Sequence, residues 1–486
     1  MLLFAEALLA SGGTLQSALK KGSACAEELA DYGMKFSTVF TFSLGVGMGL
    51  LSAGLLEDFR KSPTLRTASV GLCFIPLEGE SGSLEWQADL GLIPASTMKA
   101  LSTATALELL GPEYCFETKL YLKGDDLVVK GGGDPTLCST SLTGDFSAWL
   151  RALRMAGVRE ITGDLIMDPS RFESRTTPNE WPWGDVGNYY GAGPSGLNFH
   201  KNSFALTFNP GKLWGSARLS KIWPKPPGVK FENEMRTGRA GSGDQGYVYG
   251  GPGAQRIWLR GTIPMGGPFT IYGALPDPPK MCGVALRDFL EKEGIGITGK
   301  LRVEKALLED LEPLFVQRSP SLAKIAKGTN HRSVNLYADS IFKSLTPAGS
   351  TAGAVVKVRH HWGKMGVDLT GFVMQDGSGL SPRNTVTARQ MTRILKLALR
   401  EGRGRDFRAS LPVAGRSGTM LNFGKGTLVE GRVRAKSGSL TRVRSYAGYL
   451  EARSGREYAF AIFVNNEIGR SKGAIVQVLS RFIAEH

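Results

Sequence analysis

Three short polar motifs, widely separated and in a fixed order, constrain the fold of this chain more than any other feature. Ser96-Thr97-Met98-Lys99 opens a run of helix-favouring residues from Ala95 to Leu110, which Gly111-Pro112 stops. Ser333-Val334-Asn335 lies 237 residues further on, serine to serine, and Lys436-Ser437-Gly438 comes last. S-x-x-K also occurs at Ser17, Ser321 and Ser340, so that string alone decides little. The S-x-N and K-[ST]-G patterns each occur once, and their order behind Ser96 is what selects it. A fold in which the three cooperate must carry a helix start, a helix-flanking loop and a strand to one place.

The residue types suit nucleophilic catalysis. Ser96 and Lys99, one turn apart, share a helix face and set a hydroxyl beside an amine. A serine hydroxyl needs a base within hydrogen-bond reach, and Lys99 serves if burial or a nearby cation lowers its pKa. Lys436 is the obvious second cation. The helix N-terminus adds free N–H groups where an oxyanion could form. Ser333 can relay a proton to a leaving amine, and Asn335 offers an amide to a substrate backbone. Ser437 and Ser439 alternate with Gly438, whose missing side chain lets a substrate lie alongside as an added strand. Taken singly, Ser333 and Asn335 read as helix caps and Lys436 as a solvated strand charge; their ordered co-occurrence favours the catalytic reading.

At 486 residues the chain exceeds one core, and two or three domains are expected. A net charge of +15 suits an anionic partner such as an acidic wall polymer or a membrane surface. No nucleic-acid module accompanies the basic residues, so nucleic acid is not an expected partner. Phe36 to Leu56 is uncharged and apolar behind Met34-Lys35, which reads as a signal peptide starting at Met34, or as an uncleaved anchor, within a leader of residues 1–57. The body is therefore expected to be exported, to the periplasm or cell envelope. Beyond Cys25, the residues Cys73, Cys115, Cys138 and Cys282 are either two disulfides of unspecified pairing or four thiols.

Along the chain, Ala68 to Ile75 and Leu84 to Leu90 read as a hairpin leading into the Ser96 helix. Short strands follow at Lys119 to Leu122 and Leu127 to Lys130, with a turn at Gly131-Gly132-Gly133-Asp134-Pro135. A helix is expected at Phe146 to Ala156, a strand at Ile161 to Met167, an aromatic loop from Trp181 to Asn202, and strand-like pieces up to Ile297. Helical periodicity returns from Ser321, and Thr385 to Leu399 is another helix. Three strands near 432–439, 445–450 and 458–464 and a helix over 473–484 close the chain. With the first hairpin they would make one antiparallel sheet, so residues 58–118 and 301–486 form one domain and 119–300 an inserted β-rich region.

The chain resembles the class C low-molecular-mass penicillin-binding proteins, the D-alanyl-D-alanine carboxypeptidase/endopeptidase family. The resemblance is carried by Pro94 to Lys99, Leu127 to Leu137, Ser333 to Ala338, Asp376-Gly377-Ser378-Gly379-Leu380-Ser381, Leu411 to Gly415 and Arg434 to Leu440, over about residues 65–486. It implies an α+β, multidomain protein with the penicillin-binding, serine β-lactamase-like transpeptidase fold: an antiparallel sheet flanked by helices, with one or two nested domains inserted. It implies Ser96 as acylated nucleophile, Lys99 as base, Ser333 and Asn335 as relay and substrate holder, and Lys436, Ser437 and Ser439 as binders of the substrate carboxylate. Backbone N–H groups of Ser96 and Ser439 would form the oxyanion hole. Asp185 and Arg383 are implied as candidates for gripping a charged peptide stem, or else are loop-fixing surface charges. Ser437 and Ser439 stand where threonine is usual, and Val334 where aspartate is common. The implied substrate is peptidoglycan stem peptide, cut as a carboxypeptidase, with endopeptidase action on cross-links open as a second activity, β-lactams as inhibitors and peripheral wall or membrane association allowed; no His, Cys and Asp grouping has zinc spacing, so neither metal nor cofactor is expected. The rival readings are a β-lactamase or esterase on the same scaffold, and a catalytically silent wall-binding protein.

Overall fold

The computed structural model describes residues 54–79, 81–400 and 404–486. Most of the expected leader lies outside these residues, and among the described ones no helix is long and apolar enough to cross a membrane.

Among the described residues, the two ends of the chain meet in one antiparallel sheet. Its order is Val433–Leu440, Val443–Glu451, Glu457–Asn465, Ser69–Pro76, Leu84–Trp86. Ser69–Pro76 and Glu457–Asn465 are buried along almost their whole length, as continuous apolar strands covered on both faces must be. Helix Ala388–Ala398 packs Met391, Ile394 and Leu395 inward and starts at a capping box between Thr387 and Gln390. Helix Lys472–Glu485 brings Phe482 onto Phe74, ring centroids 4.3 Å apart.

The helix bearing the first motif, Met98–Leu109, is buried from Met98 to Leu107, and apart from Lys99 that stretch is apolar or small all round. It shares one core with helices Leu322–Arg332, Asn335–Lys343 and Ala388–Ala398 through Leu101, Ala104, Ile325, Ile341 and Leu395. Such a helix is stabilised by its surroundings on every side, which holds its N-terminus rigidly.

A second sheet runs Leu301–Val303, Leu165–Asp168, Asp126–Lys130, Glu117–Lys123, Phe315–Arg318. Its last strand extends the inserted region's sheet past residue 300, because Phe315–Arg318 returns antiparallel to Glu117–Lys123 before the chain rejoins the helical core. Strands Ser203–Asn209, Arg218–Trp223 and Phe269–Ala274 form a further sheet, and Arg256–Pro264 organises another with Gln245–Tyr249. The stretch up to Ile297 is not all strand: Pro278–Lys292 is a fifteen-residue helix. Asp277 Oδ1 caps it by accepting the Lys280 N–H at 3.0 Å, and Pro278 and Pro279 sit where prolines are tolerated in a first turn. Cys73, Cys115, Cys138 and Cys282 are four free thiols, three of them buried.

Candidate active site

Ser96 sits in a single 3-10 turn, Ala95–Thr97, that runs straight into the buried helix Met98–Leu109. Ala95 has φ +47°, a left-handed conformation costing about 1–2 kcal/mol for a residue with a Cβ. Three contacts hold it. The Thr97 and Ser445 hydroxyls donate to Pro94 O at 2.6 and 2.5 Å, and the loop at Gly379 presses on the other side. A Cβ at Gly379, where φ is +78°, would lie 1.8 Å from Ala95 O, so no other residue fits there.

Lys99 is fully buried, and its Nζ donates to Ser96 Oγ at 3.0 Å, Asn335 Oδ1 at 2.5 Å and Ser378 O at 2.6 Å. Burial pushes its pKa down, opposed by the carboxylates of Asp339 and Asp376. Those three acceptors match an ammonium. They also match a neutral amine whose two N–H bonds go to Asn335 and Ser378 while its lone pair faces the Ser96 hydroxyl.

Asn335 opens helix Asn335–Lys343, and Ser333 links it to helix Leu322–Arg332 in the left-handed region, φ 57°. Neither side chain caps a helix. Asn335 spends its amide on Lys99 and, through Nδ2, on Tyr190 O at 2.7 Å, which ties it to the aromatic loop. Ser333 shares a groove of about 460 Å³ with Ser96, Ser437, Gly438 and Ser439, further lined by Thr419 and Arg444. Lys436 is fully buried, not solvated; its Nζ donates to Ser437 O at 2.6 Å. Burial, and after it the charge of Lys99, hold its pKa well below the usual lysine range. Ser437 Oγ donates to Thr419 Oγ1 at 2.8 Å, and Ser439 is exposed in the groove.

Gly438 is required for a reason other than the one its sequence context suggests. A Cβ there would point inward, 2.2 Å from Ser445 Oγ, 2.8 Å from Pro94 O and 2.9 Å from Ser96 N. The glycine lets the Lys436 strand approach the Ser96 turn.

Two carboxyl groups stand behind the site: Asp376, in a motif the sequence already marked, and Asp339, which the motifs did not mark. Asp376 accepts four N–H bonds: from Gly379 and Asn384 on Oδ1, at 2.7 and 2.9 Å, and from Ser381 and Trp181 on Oδ2, at 2.7 and 2.8 Å. It fixes the Asp-Gly-Ser-Gly loop whose Ser378 carbonyl holds Lys99. Asp339 is one turn from Asn335 on the same helix face; its Oδ1 accepts the Gly377 N–H at 2.7 Å, and burial raises its pKa, reinforced by Asp376. A carboxyl at i+4 from Asn335 in an otherwise apolar stretch was the available signal.

Asp185 and Arg383 are not among the residues lining the groove. Asp185 is half-buried and accepts the Tyr190 hydroxyl at 3.1 Å, with its pKa raised by burial, so it reaches the site only through Tyr190. Arg383 is exposed, and its backbone N–H donates to Ser381 Oγ at 3.1 Å.

Asp339 yields a directional prediction. Its carboxylate favours charged Lys99, so Asp339→Asn, which retains an oxygen for Gly377, lowers the Lys99 pKa further. If neutral Lys99 is the base, the acidic limb of the kcat/KM profile moves to lower pH; a limb that stays, or moves up, contradicts that assignment.

The profile of the D-Ala-D-Ala carboxypeptidase 3 (S13) family matches residues 52–482, nearly all of the described chain. The chain belongs to this family. It is 29% identical over 460 residues to a D-alanyl-D-alanine carboxypeptidase of an Actinomadura species, covering 89% of this chain and 83% of that one. The crystal structure of penicillin-binding protein 4 (dacB) from Haemophilus influenzae superposes with a TM-score of 0.76 at 22% identity, covering 87% of this chain and 97% of that one. The same protein complexed with a β-lactam gives 0.71. The penicillin-binding fold is thereby established, with its antiparallel sheet and flanking helices.

Proposed function

We propose that this family member is a serine D-Ala-D-Ala carboxypeptidase acting on peptidoglycan stem peptides through an acyl-enzyme on Ser96. The observation that carries the proposal is the buried Lys99 amine, 3.0 Å from Ser96 Oγ, with its other hydrogens directed to Asn335 and Ser378. Neutral Lys99 takes the Ser96 proton as Oγ bonds to the carbonyl carbon of the penultimate D-Ala. Negative charge develops on the carbonyl oxygen, facing the Ser96 and Ser439 N–H groups. The C–N bond then breaks, and the departing D-Ala amine receives its proton by way of Ser333. Water next attacks the ester, returns a proton to Ser96 and releases the shortened peptide. Ser437 and Ser439, which line the groove, receive the terminal carboxylate in front of the buried Lys436, and the second N–H of Asn335 Nδ2, beside the one given to Tyr190 O, serves the peptide backbone. Asp185, which holds the Tyr190 hydroxyl, and the exposed Arg383 remain candidates for the charged stem. Family membership and the apolar run ahead of the described residues support action in the cell envelope.

The test is covalent capture. Incubation with benzylpenicillin adds one penicillin to the intact mass, and trypsin places it on peptide 67–99, which contains Ser96; D-Ala is released from a pentapeptide by the same preparation. An absent adduct on folded protein, or one on another peptide, overturns the proposal.

A further inference from the structure

The inserted region carries an aromatic surface for which the chemistry at Ser96 has no use. On the three-stranded sheet, Tyr272 lies opposite Ala205, and Ala205 opposite Trp223, so the three form a row across the outward face. Phe204, Leu206 and Phe208 point the other way into the core. Tyr272 is 52% and Trp223 46% exposed, and the Trp223 ring is propped edge-on by His200, centroids 5.2 Å apart, which leaves much of both rings open to solvent. Ala205 between them leaves a shallow floor. The next row is polar: Thr270 and Thr207, whose hydroxyls bond each other at 2.9 Å, and then Lys221. Tyr189, 56% exposed, stands edge-on to Tyr272 at 6.2 Å and directly precedes Tyr190, the residue whose carbonyl holds Asn335. The row therefore begins beside the catalytic centre and leads away from it.

We propose that this face binds the glycan to which the stem peptide is attached, as a chain of β-1,4-linked N-acetylhexosamines; the inference rests on the peptidoglycan reading above. Flat aromatic rings pack against the C–H face of a pyranose, while hydroxyls and a lysine at the margin bond its polar edge. Strands are about 4.8 Å apart, which sets Tyr272 and Trp223 about 10 Å from each other, close to the repeat of a disaccharide. Rings with polar edges set among threonines suit a hydrated, hydroxyl-rich ligand better than the dry core of a protein interface, where apolar side chains predominate. Continuity with Tyr190 and Asn335 makes the occupant an extension of the peptide substrate.

The experiment uses the whole protein, chitohexaose as probe and the double variant Tyr272→Ala/Trp223→Ala. Wild type binds chitohexaose, with quenching of tryptophan fluorescence confirmed by calorimetry, and the double variant binds at least about tenfold more weakly, the loss expected when stacked rings are removed. Hydrolysis of a free pentapeptide stays within about twofold, while kcat/KM on glycan-linked stem peptides falls by a similar tenfold. Wild type that is acylated by benzylpenicillin yet does not bind chitohexaose overturns the glycan site and leaves the enzyme reading intact. So does equal binding by the variant, or a sedimentation shift showing that the face joins two copies of the chain. Lack of acylation in the same preparation counts against the enzyme reading instead.

Discussion

Lys99→Met lowers the second-order rate of acylation by a fluorescent penicillin on the order of 10³-fold, the scale at which a positioned general base contributes. Methionine matches the length of the lysine stem and stays in its fully buried track, but it has no lone pair for the Ser96 hydroxyl. The loss does not come from unfolding. Removing an amine from a fully buried site ends its desolvation cost, which offsets the roughly 1–3 kcal/mol for each acceptor left unpaired at Asn335 Oδ1 and Ser378 O. The melting temperature therefore changes by a few degrees at most while acylation collapses. A variant that acylates within tenfold of wild type would show that Lys99 only positions the serine, and the base would have to be sought elsewhere, with Lys436 the next buried amine in reach.

Gly438→Ala is the second large effect, and it operates through backbone position. The new methyl meets Ser445 Oγ, Pro94 O and Ser96 N at 2.2, 2.8 and 2.9 Å; the last two are backbone atoms that cannot rotate away. The strand Val433–Leu440 must retreat from the nucleophile turn, which separates the Ser96 and Ser439 N–H groups. Displacing one such donor costs about 10²- to 10³-fold in rate, and overpacking costs about 1–3 kcal/mol of stability. The hydroxyl contact is the part that can be relieved. Adding Ser445→Ala to Gly438→Ala removes the nearest clash and recovers part of the stability, less what is lost with the hydroxyl that holds Pro94 O. It recovers little of the rate, because the Pro94 and Ser96 contacts persist. Full recovery of rate in the double variant would mean that Ser445 alone sets the spacing, contrary to the geometry.

Much of the site was legible because its chemistry is written in local motifs. A serine and lysine one turn apart, a hydroxyl and amide two residues apart, and a lysine-serine-glycine in a strand each carry residue types that short-range geometry makes meaningful. The strands and helices of the first and last segments were equally readable, since a continuous apolar run and a 3.6-residue period survive in the sequence whatever the chain does elsewhere. The helix Pro278–Lys292 was missed amid surrounding strand signals, although Asp277-Pro278-Pro279 is a sound helix start. The pairing of Phe315–Arg318 with Glu117–Lys123 was not legible, because a strand of four residues whose partner lies almost two hundred residues upstream leaves no local signal.

Legible in the sequence alone were the pairing of Ser96 with Lys99 on one helix face, the order of the three motifs, the antiparallel sheet from both chain ends and the family. What those residues experience depends on how the chain folds back on itself. Burial of Lys99 and Lys436, the four N–H bonds converging on Asp376 and the inward role of Gly438 all depend on groups distant in the chain. So does the separation of Asp185 and Arg383 from the groove lining. Desolvation, Coulomb interaction and steric exclusion act through space, and a linear sequence records which groups exist without recording which of them share a few ångströms of low-dielectric interior.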